Sequence, residues 1–289
     1  SFVVRVKRWQ LLLTPLGQIG FEPAASATSI GFAITALLPG RLGEIVRPYL
    51  LARREHLGTG AAFATIVIER FLDLLILVLL LGVSLVFLGD ALDREGDLLL
   101  VGLEAGGLLA GCVALTGLVL ACVVVRQPHW ITVGLAAIHR RLPERTGDAV
   151  SGFVVRFVTG FGAVGDLVRL LRALGWSVAV WGFVAVSAWC TCAALGILLP
   201  PSGSLLLTVL MAIGVAVPTP GGVGGFHAVV QLGLTSLFAA QIDVSTGAAI
   251  VLHVVAFGPV TVAGCIWMVR DGVTLRGAAD LASLGKQDL

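Results

Sequence analysis

Three short clusters in this chain combine charged or backbone-permissive residues at spacings suited to holding an anion. In Leu38-Pro39-Gly40-Arg41-Leu42-Gly43-Glu44-Ile45-Val46-Arg47, Glu44 and Arg47 stand three apart and so share a helix face. A guanidinium there can grip a phosphate bidentately, with Glu44 positioning it or accepting an amine. The same stretch also reads as a juxtamembrane basic segment that only fixes topology. Glu69-Arg70-x-x-Asp73 places two carboxylates on one helix face, an arrangement that needs a cation or a proton beside it. It reads either as a functional intramembrane cluster or as an interfacial ion-pair latch. The third cluster is Pro218-Thr219-Pro220-Gly221-Gly222-Val223-Gly224-Gly225-Phe226-His227. Its glycines gather unpaired backbone N–H groups, and a helix starting near Gly225 aims its positive end at the break. Thr219, Gly221, Gly222, Gly224 and Gly225 are therefore candidates for phosphate or carboxylate binding, against a purely structural kink. No strand precedes these glycines, which excludes a nucleotide-binding fingerprint.

Besides Asp243, His227 and His253 are the only readily charged side chains between Arg172 and Arg270. They could titrate near neutral pH and couple transport to protons, or act as satisfied structural donors. Cys112, Cys122, Cys190, Cys192 and Cys265 are scattered through apolar stretches and predict neither a disulfide framework nor a metal site. Cys190 and Cys192 would lie about 200° apart around a helix. No catalytic residue and no cofactor is expected, and Glu104, a further acid in an apolar stretch, takes no role.

The composition names the solvent for the elements that carry these residues. Of 289 residues, 57% are hydrophobic and 12% charged, against roughly 25% charged in a soluble domain. Mean hydropathy is +1.02, and residues 173–242 contain no Asp, Glu, Lys or Arg. Such runs are membrane spans and exclude an ordinary cytosolic enzyme. A net charge of +2 without a dense basic run excludes nucleic acid as partner.

Residues 61–88, 98–125, 174–199 and 245–269 are long enough to cross as helices. Two other apolar stretches are broken: 9–38 by Pro15, Glu22 and Pro23, and 205–242 by residues 218–225. Short helices around such breaks read as re-entrant hairpins, whose open backbone must face protein or a wet cavity. The expected fold is all-α: a polytopic helical membrane protein with two Pro/Gly-broken re-entrant hairpins. It forms one membrane domain over 1–289, with a first half 1–125, a basic connector 126–172 and a second half 173–289. The order of spans and hairpins suggests an inverted repeat, as transporters build around a midplane site.

In the connector, Phe153, Phe157, Phe161, Val164, Val168 and Leu171 recur every three or four residues, with Arg156, Asp166, Arg169 and Arg172 elsewhere. This is the pattern of an amphipathic surface helix. Arg5, Lys7, Arg8, residues 41–54, the connector and Arg270, Arg276 and Lys286 are basic, whereas 90–97 is acidic. The positive-inside rule then places both termini in the cytoplasm and the acidic loop outside.

In order and spacing, the three clusters and Arg8-Trp9 resemble the flippase-like membrane domain of bacterial lysylphosphatidylglycerol synthases and its stand-alone relatives. The resemblance covers nearly the whole chain. It implies an integral protein of the bacterial inner membrane; some members move a modified phospholipid between leaflets and others are tied to polyprenyl-linked sugars. Two positions depart from the family pattern: His227 stands where Glu is usual and His253 where Arg is frequent, a joint change that suggests mutual contact. Residues 270–289 leave no room for the family's aminoacyl-transferring domain, and a start at Ser1 without Met suggests a further hydrophobic segment upstream.

The function expected on these grounds is a lipid translocase, passing an anionic or modified phospholipid or polyprenyl-linked headgroup between Arg47 or Arg70 and the glycine-rich break. Without a phosphate-binding Gly-x-x-x-x-Gly-Lys motif, pumping would draw on a gradient or a partner. Two alternatives stay open. One is a membrane-embedded transferase on a polyprenyl-phosphate sugar with Glu69 or Asp73 as base; the other is an accessory subunit beside a cell-envelope glycosyltransferase.

Overall fold

The computed structural model describes residues 1–38, 40–88, 98–126, 151, 152, 154, 155, 157–163, 165–217, 219–275 and 277. The acidic loop 90–97, most of the connector, and Phe153, Arg156, Val164, Arg276 and Lys286 lie outside them. The described helices are α1 (Phe2–Leu13), α2 (Phe21–Leu37), α3 (Gly43–Arg54), α4 (Thr59–Leu88), α5 (Leu98–Arg126), α6 (Leu167–Ala194), α7 (Pro201–Ala216), α8 (Gly225–Phe238) and α9 (Ile242–Arg270). Single 3-10 turns occupy Phe161–Ala163 and Pro220–Gly222.

α4, α5, α6 and α9 are the four described helices long and apolar enough to cross a bilayer. At about 1.5 Å per residue, α4 is about 45 Å long, whereas α2, α3, α7 and α8 reach only about 18 to 25 Å. The long helices turn apolar side chains outward, among them Val86, Phe87, Leu108 and Val269, and bury polar ones inward, including Glu69, Asp73 and Ser177. That inside-out polarity fits hydrocarbon as the surrounding solvent.

Two stretches depart most from the sequence expectation. The third span runs over Leu167–Ala194 rather than 174–199. Asp166 caps its start, accepting from the backbone N–H groups of Val168 at 2.9 Å and Arg169 at 3.2 Å. At its end Gly196 adopts φ +76°, and Ile197 N–H closes back on the Cys192 carbonyl at 2.9 Å, the glycine-terminated stop that satisfies last-turn carbonyls. Local capping thus overrides the hydropathy edges. In the first broken stretch the interruption falls at residues 14–20. Pro15 lies within it, but Glu22 and Pro23 form the first turn of α2, where a proline's missing N–H would have had no helical partner anyway.

The two halves pair in a repeating order. α2 packs on α3 and α3 on α4, as α7 packs on α8 and α8 on α9. Across the halves α1 meets α6, α2 meets α9 and α4 meets α7. One end of the molecule gathers the starts of α2 and α4 with the ends of α3 and α9: Arg270 pairs with Glu22 at 2.8 Å, and Asp271 accepts from Ser26 and Arg54. Toward the opposite end, Leu81 and Leu88 of α4 cluster with Leu206, Leu210, Leu237 and Phe238 of α7 and α8. The α2–α3 and α7–α8 turns meet, with the Ala36 carbonyl beside Gly221.

Candidate functional site

α4 carries Glu69 and Asp73 about 15 and 21 Å along its length, far from either end. Neither is solvated: Glu69 is 0% and Asp73 4% exposed. A buried carboxylate pair is tolerable only with close positive partners, and α1 supplies two. Arg8, wholly buried, reaches Asp73 Oδ1 at 2.5 Å, Glu69 Oε1 at 3.0 Å and the Ser177 hydroxyl of α6 at 2.8 Å. Arg5, one helical step away on the same face, lies 3.9 Å from Glu69 and 3.8 Å from Asp73. Arg70 bridges both carboxylates from within α4, at 2.9 and 3.3 Å. Trp181 of α6 donates its indole N–H to Asp73 at 3.0 Å.

Arg47 closes the cluster from α3. Its two terminal nitrogens donate to the two oxygens of Glu69, each at 3.2 Å, the fork geometry that a guanidinium offers and an ammonium does not. Its plane lies over the Trp9 ring at 3.9 Å, and the Trp9 indole N–H donates to Thr65 at 3.0 Å. Glu44 does not position Arg47, contrary to what their spacing suggests. It pairs with Arg41 at 3.9 Å and stays partly exposed, because Arg47 has turned inward to the desolvated carboxylate.

The close approach of α3 to α2 depends on Gly43, where a Cβ would fall 1.8 Å from the Gly31 carbonyl. In the turn between these helices Gly40 and Arg41 both take positive φ, 78° and 54°. From this bend the Arg41 guanidinium donates to the Val215 carbonyl at the end of α7, one of the last-turn acceptors a helix leaves open. The first turn thereby caps the second helix pair.

A cavity of about 670 Å³ lies between the two turns. Arg5, Arg41, Glu44, Arg47, Arg70 and Asp73 form its charged wall, and Thr219, Gly221 and Gly222 line it from the α7–α8 turn. Phe71, Leu74 and Leu77 of α4 and Val255, Phe257 and Val260 of α9 make apolar walls. Three sequence clusters thus converge on one space. Glu69 stands behind the wall as an anchor, and Gly224, Gly225, His227 and His253 are outside the lining. His253 Nε2 lies 2.8 Å from the Gly221 carbonyl, while His227 Nδ1 accepts from Gly224 N–H at 3.3 Å. Their rings are 4.9 Å apart, the proximity that their joint departure from the family pattern suggests.

Sequence reasoning missed Arg5, Arg8, Trp9, Thr65, Ser177 and Trp181, and it counted Arg5 and Arg8 among the basic residues that fix topology. They are buried partners of Glu69 and Asp73. A usable signal existed: Arg5, Arg8 and Leu12 share a face with Trp9 and Val6 beside them, so arginine lies on an otherwise apolar stripe. Among the described residues no three His, Cys, Asp or Glu side chains gather to hold a metal; the carboxylates here are met by guanidinium groups.

The model of the lysylphosphatidylglycerol synthase transmembrane region matches residues 1–264. This chain belongs to that family. As a lysylphosphatidylglycerol synthase transmembrane-region protein it is a multi-pass membrane protein, in accord with its four long apolar helices. A relative from Haloferax volcanii, named glycosyltransferase AglD, is 26% identical over 306 aligned residues, covering 97% of this chain and 48% of its own length. The chain thus spans about half of that relative. No solved structure matches this family member.

Proposed function

We propose that this protein is a lipid translocase that carries an anionic headgroup, of a modified phospholipid or a polyprenyl-linked lipid, through the cavity while the tails remain in the bilayer. The observation that carries this reading is a cavity with guanidinium groups on one wall and apolar side chains of α4 and α9 on others. In this reading α2–α3 and α7–α8 are re-entrant pairs entering from opposite faces, related as an inverted repeat, with their turns near the midplane. The first such pair is α2–α3, with its turn at residues 38–42, rather than the 9–38 stretch broken near Pro15. The end carrying Arg53, Arg54, Arg169 and Arg270 faces the cytoplasm of a bacterial inner membrane. The His227–His253 pair, bonded to the backbone of the α7–α8 turn, couples its position to protons.

Leaflet exchange in proteoliposomes tests the reading, using fluorescent phosphatidylglycerol, phosphatidylethanolamine and a polyprenyl phosphate under an imposed proton gradient. The expected result is exchange of an anionic lipid that is lost in Arg70→Ala. Absence of exchange for every lipid, from protein that remains folded, overturns it.

The name of the Haloferax volcanii relative supports a second reading, a transferase or a subunit beside one. Against Glu69 or Asp73 as its base, their oxygens are already occupied by Arg8, Arg47, Arg70 and Trp181. Product formed in detergent from donor and acceptor together, with no bilayer to cross, would favour this second reading.

A further inference from the structure

The charges around the cavity do not cancel. Arg41 and Glu44 close their own pair, and at the end of the molecule Arg270 matches Glu22 and Arg54 matches Asp271. In the central cluster, however, Arg5, Arg8, Arg47 and Arg70 face only Glu69 and Asp73. Arg8 and Glu69 lie behind the wall and offset each other. What lines the cavity is Arg5, Arg47 and Arg70 against Asp73, so the wall itself carries a surplus of two positive charges. Among the described residues no other element opposes it: α6, α7 and α9 contribute Trp181, Ser187, Met211, Leu252 and Val260 but no acid. His253 lies behind Gly221.

A surplus of this kind inside a membrane protein is costly unless a counter-charge arrives. Arg70 is the group set to receive it, with its side chain 44% exposed and lining the cavity. The Thr219 hydroxyl is buried without a hydrogen-bond partner, and Thr219 lines the same space.

We infer that the cavity takes a phosphate dianion, a phosphomonoester or diphosphate, in preference to the singly charged phosphodiester of ordinary phospholipids. A phosphomonoester carries close to two charges above its second pKa of about 6 and one below it, so it matches the wall only when fully ionised. A phosphodiester leaves one guanidinium unmatched at every pH. The inference rests on the headgroup-cavity reading and specifies its substrate class.

The test is binding to the full chain in detergent with three probes: farnesyl phosphate, its methyl phosphodiester, and inorganic phosphate. The expected result at pH 7.5 is at least about tenfold tighter binding of the monoester than of the matched diester, from one additional charge beside the guanidinium groups. That preference collapses at pH 5 in the wild-type protein. Arg70→Gln reduces it at pH 7.5 and Arg70→Lys restores most of it, a readout that a merely structural role would not move. Equal affinity for monoester and diester across this pH range overturns the inference while leaving the headgroup cavity standing. Binding of neither lipid probe by folded protein overturns both. Inorganic phosphate bound as tightly as farnesyl phosphate keeps the dianion and overturns the lipid as its source.

Discussion

Arg47 on α3 holds Glu69 on α4 through two parallel hydrogen bonds of 3.2 Å each, with its guanidinium stacked over Trp9 of α1. One side chain thereby joins three helices. Removing it leaves a carboxylate in the interior with fewer partners, and breaking such pairs costs about 3–5 kcal/mol where no other cation compensates. Arg8 and Arg70 also reach Glu69, so Arg47→Gln is expected at the low end of that range. Glu69→Gln, which strands several guanidinium groups at once, is expected to cost more. Thermal unfolding of both variants in one detergent checks the order; Arg47→Gln melting below Glu69→Gln would contradict it.

Stability and transport should separate when both partners are replaced. The Arg47→Met, Glu69→Leu double variant removes the charges together, and apolar replacements of similar volume often preserve stability. Its melting temperature should exceed that of Glu69→Leu alone, because one guanidinium fewer is left without its carboxylate, while lipid exchange is abolished. Restored exchange would show that this pair is structural only.

The glycines should differ by what surrounds them. Gly43→Ala meets the Gly31 carbonyl 1.8 Å away and should prevent folding, read as loss of monodisperse protein. Gly40→Ala meets nothing within 4 Å but must keep φ +78°, a backbone cost of about 1–2 kcal/mol. Gly221→Ala combines both terms, with φ +60° and the Ala36 carbonyl at 2.9 Å. Its effect should fall between the other two by thermal unfolding.

His253 holds the α7–α8 turn through the Gly221 carbonyl and packs against Phe226 and Phe257. His253→Phe keeps the ring packing and loses the hydrogen bond. Lipid exchange should slow in His253→Phe, whereas His253→Gln, which retains a donor for the Gly221 carbonyl, should keep the turn and most of the rate. Exchange at the wild-type rate in His253→Phe would show that this hydrogen bond does not hold the turn for transport.

Orientation is open to direct labelling. In a background lacking the native cysteines, Arg53→Cys should react with a membrane-impermeant maleimide only from the cytoplasmic face and Gln241→Cys only from outside. The reverse pattern would invert the proposed topology.

Much of this protein is written in composition. Hydrocarbon as solvent and the four long spans follow from counting apolar residues, because crossing a bilayer is a requirement on length and polarity that each segment meets alone. The carboxylates of α4, Arg47 and the glycine-rich turn were also visible, since ionisable or broken segments stand out against an apolar background. Capping moved the span edges locally, as Asp166 and Gly196 show.

What only the tertiary structure decided is which charges meet. Arg8 and Asp73 are 65 positions apart, and Arg8 and Ser177 are 169 apart; no helical period links them. On sequence grounds Arg5 and Arg8 looked like interfacial cations and Glu44 like the partner of Arg47. Packing reversed both assignments, because a buried carboxylate draws the nearest guanidinium in space, whatever its place in the chain. The pairing of α2 with α9 and α4 with α7, which brings two glycine-bearing turns to one cavity, depends likewise on helix surfaces fitting each other. Hydropathy, a sum along one dimension, does not record that fit.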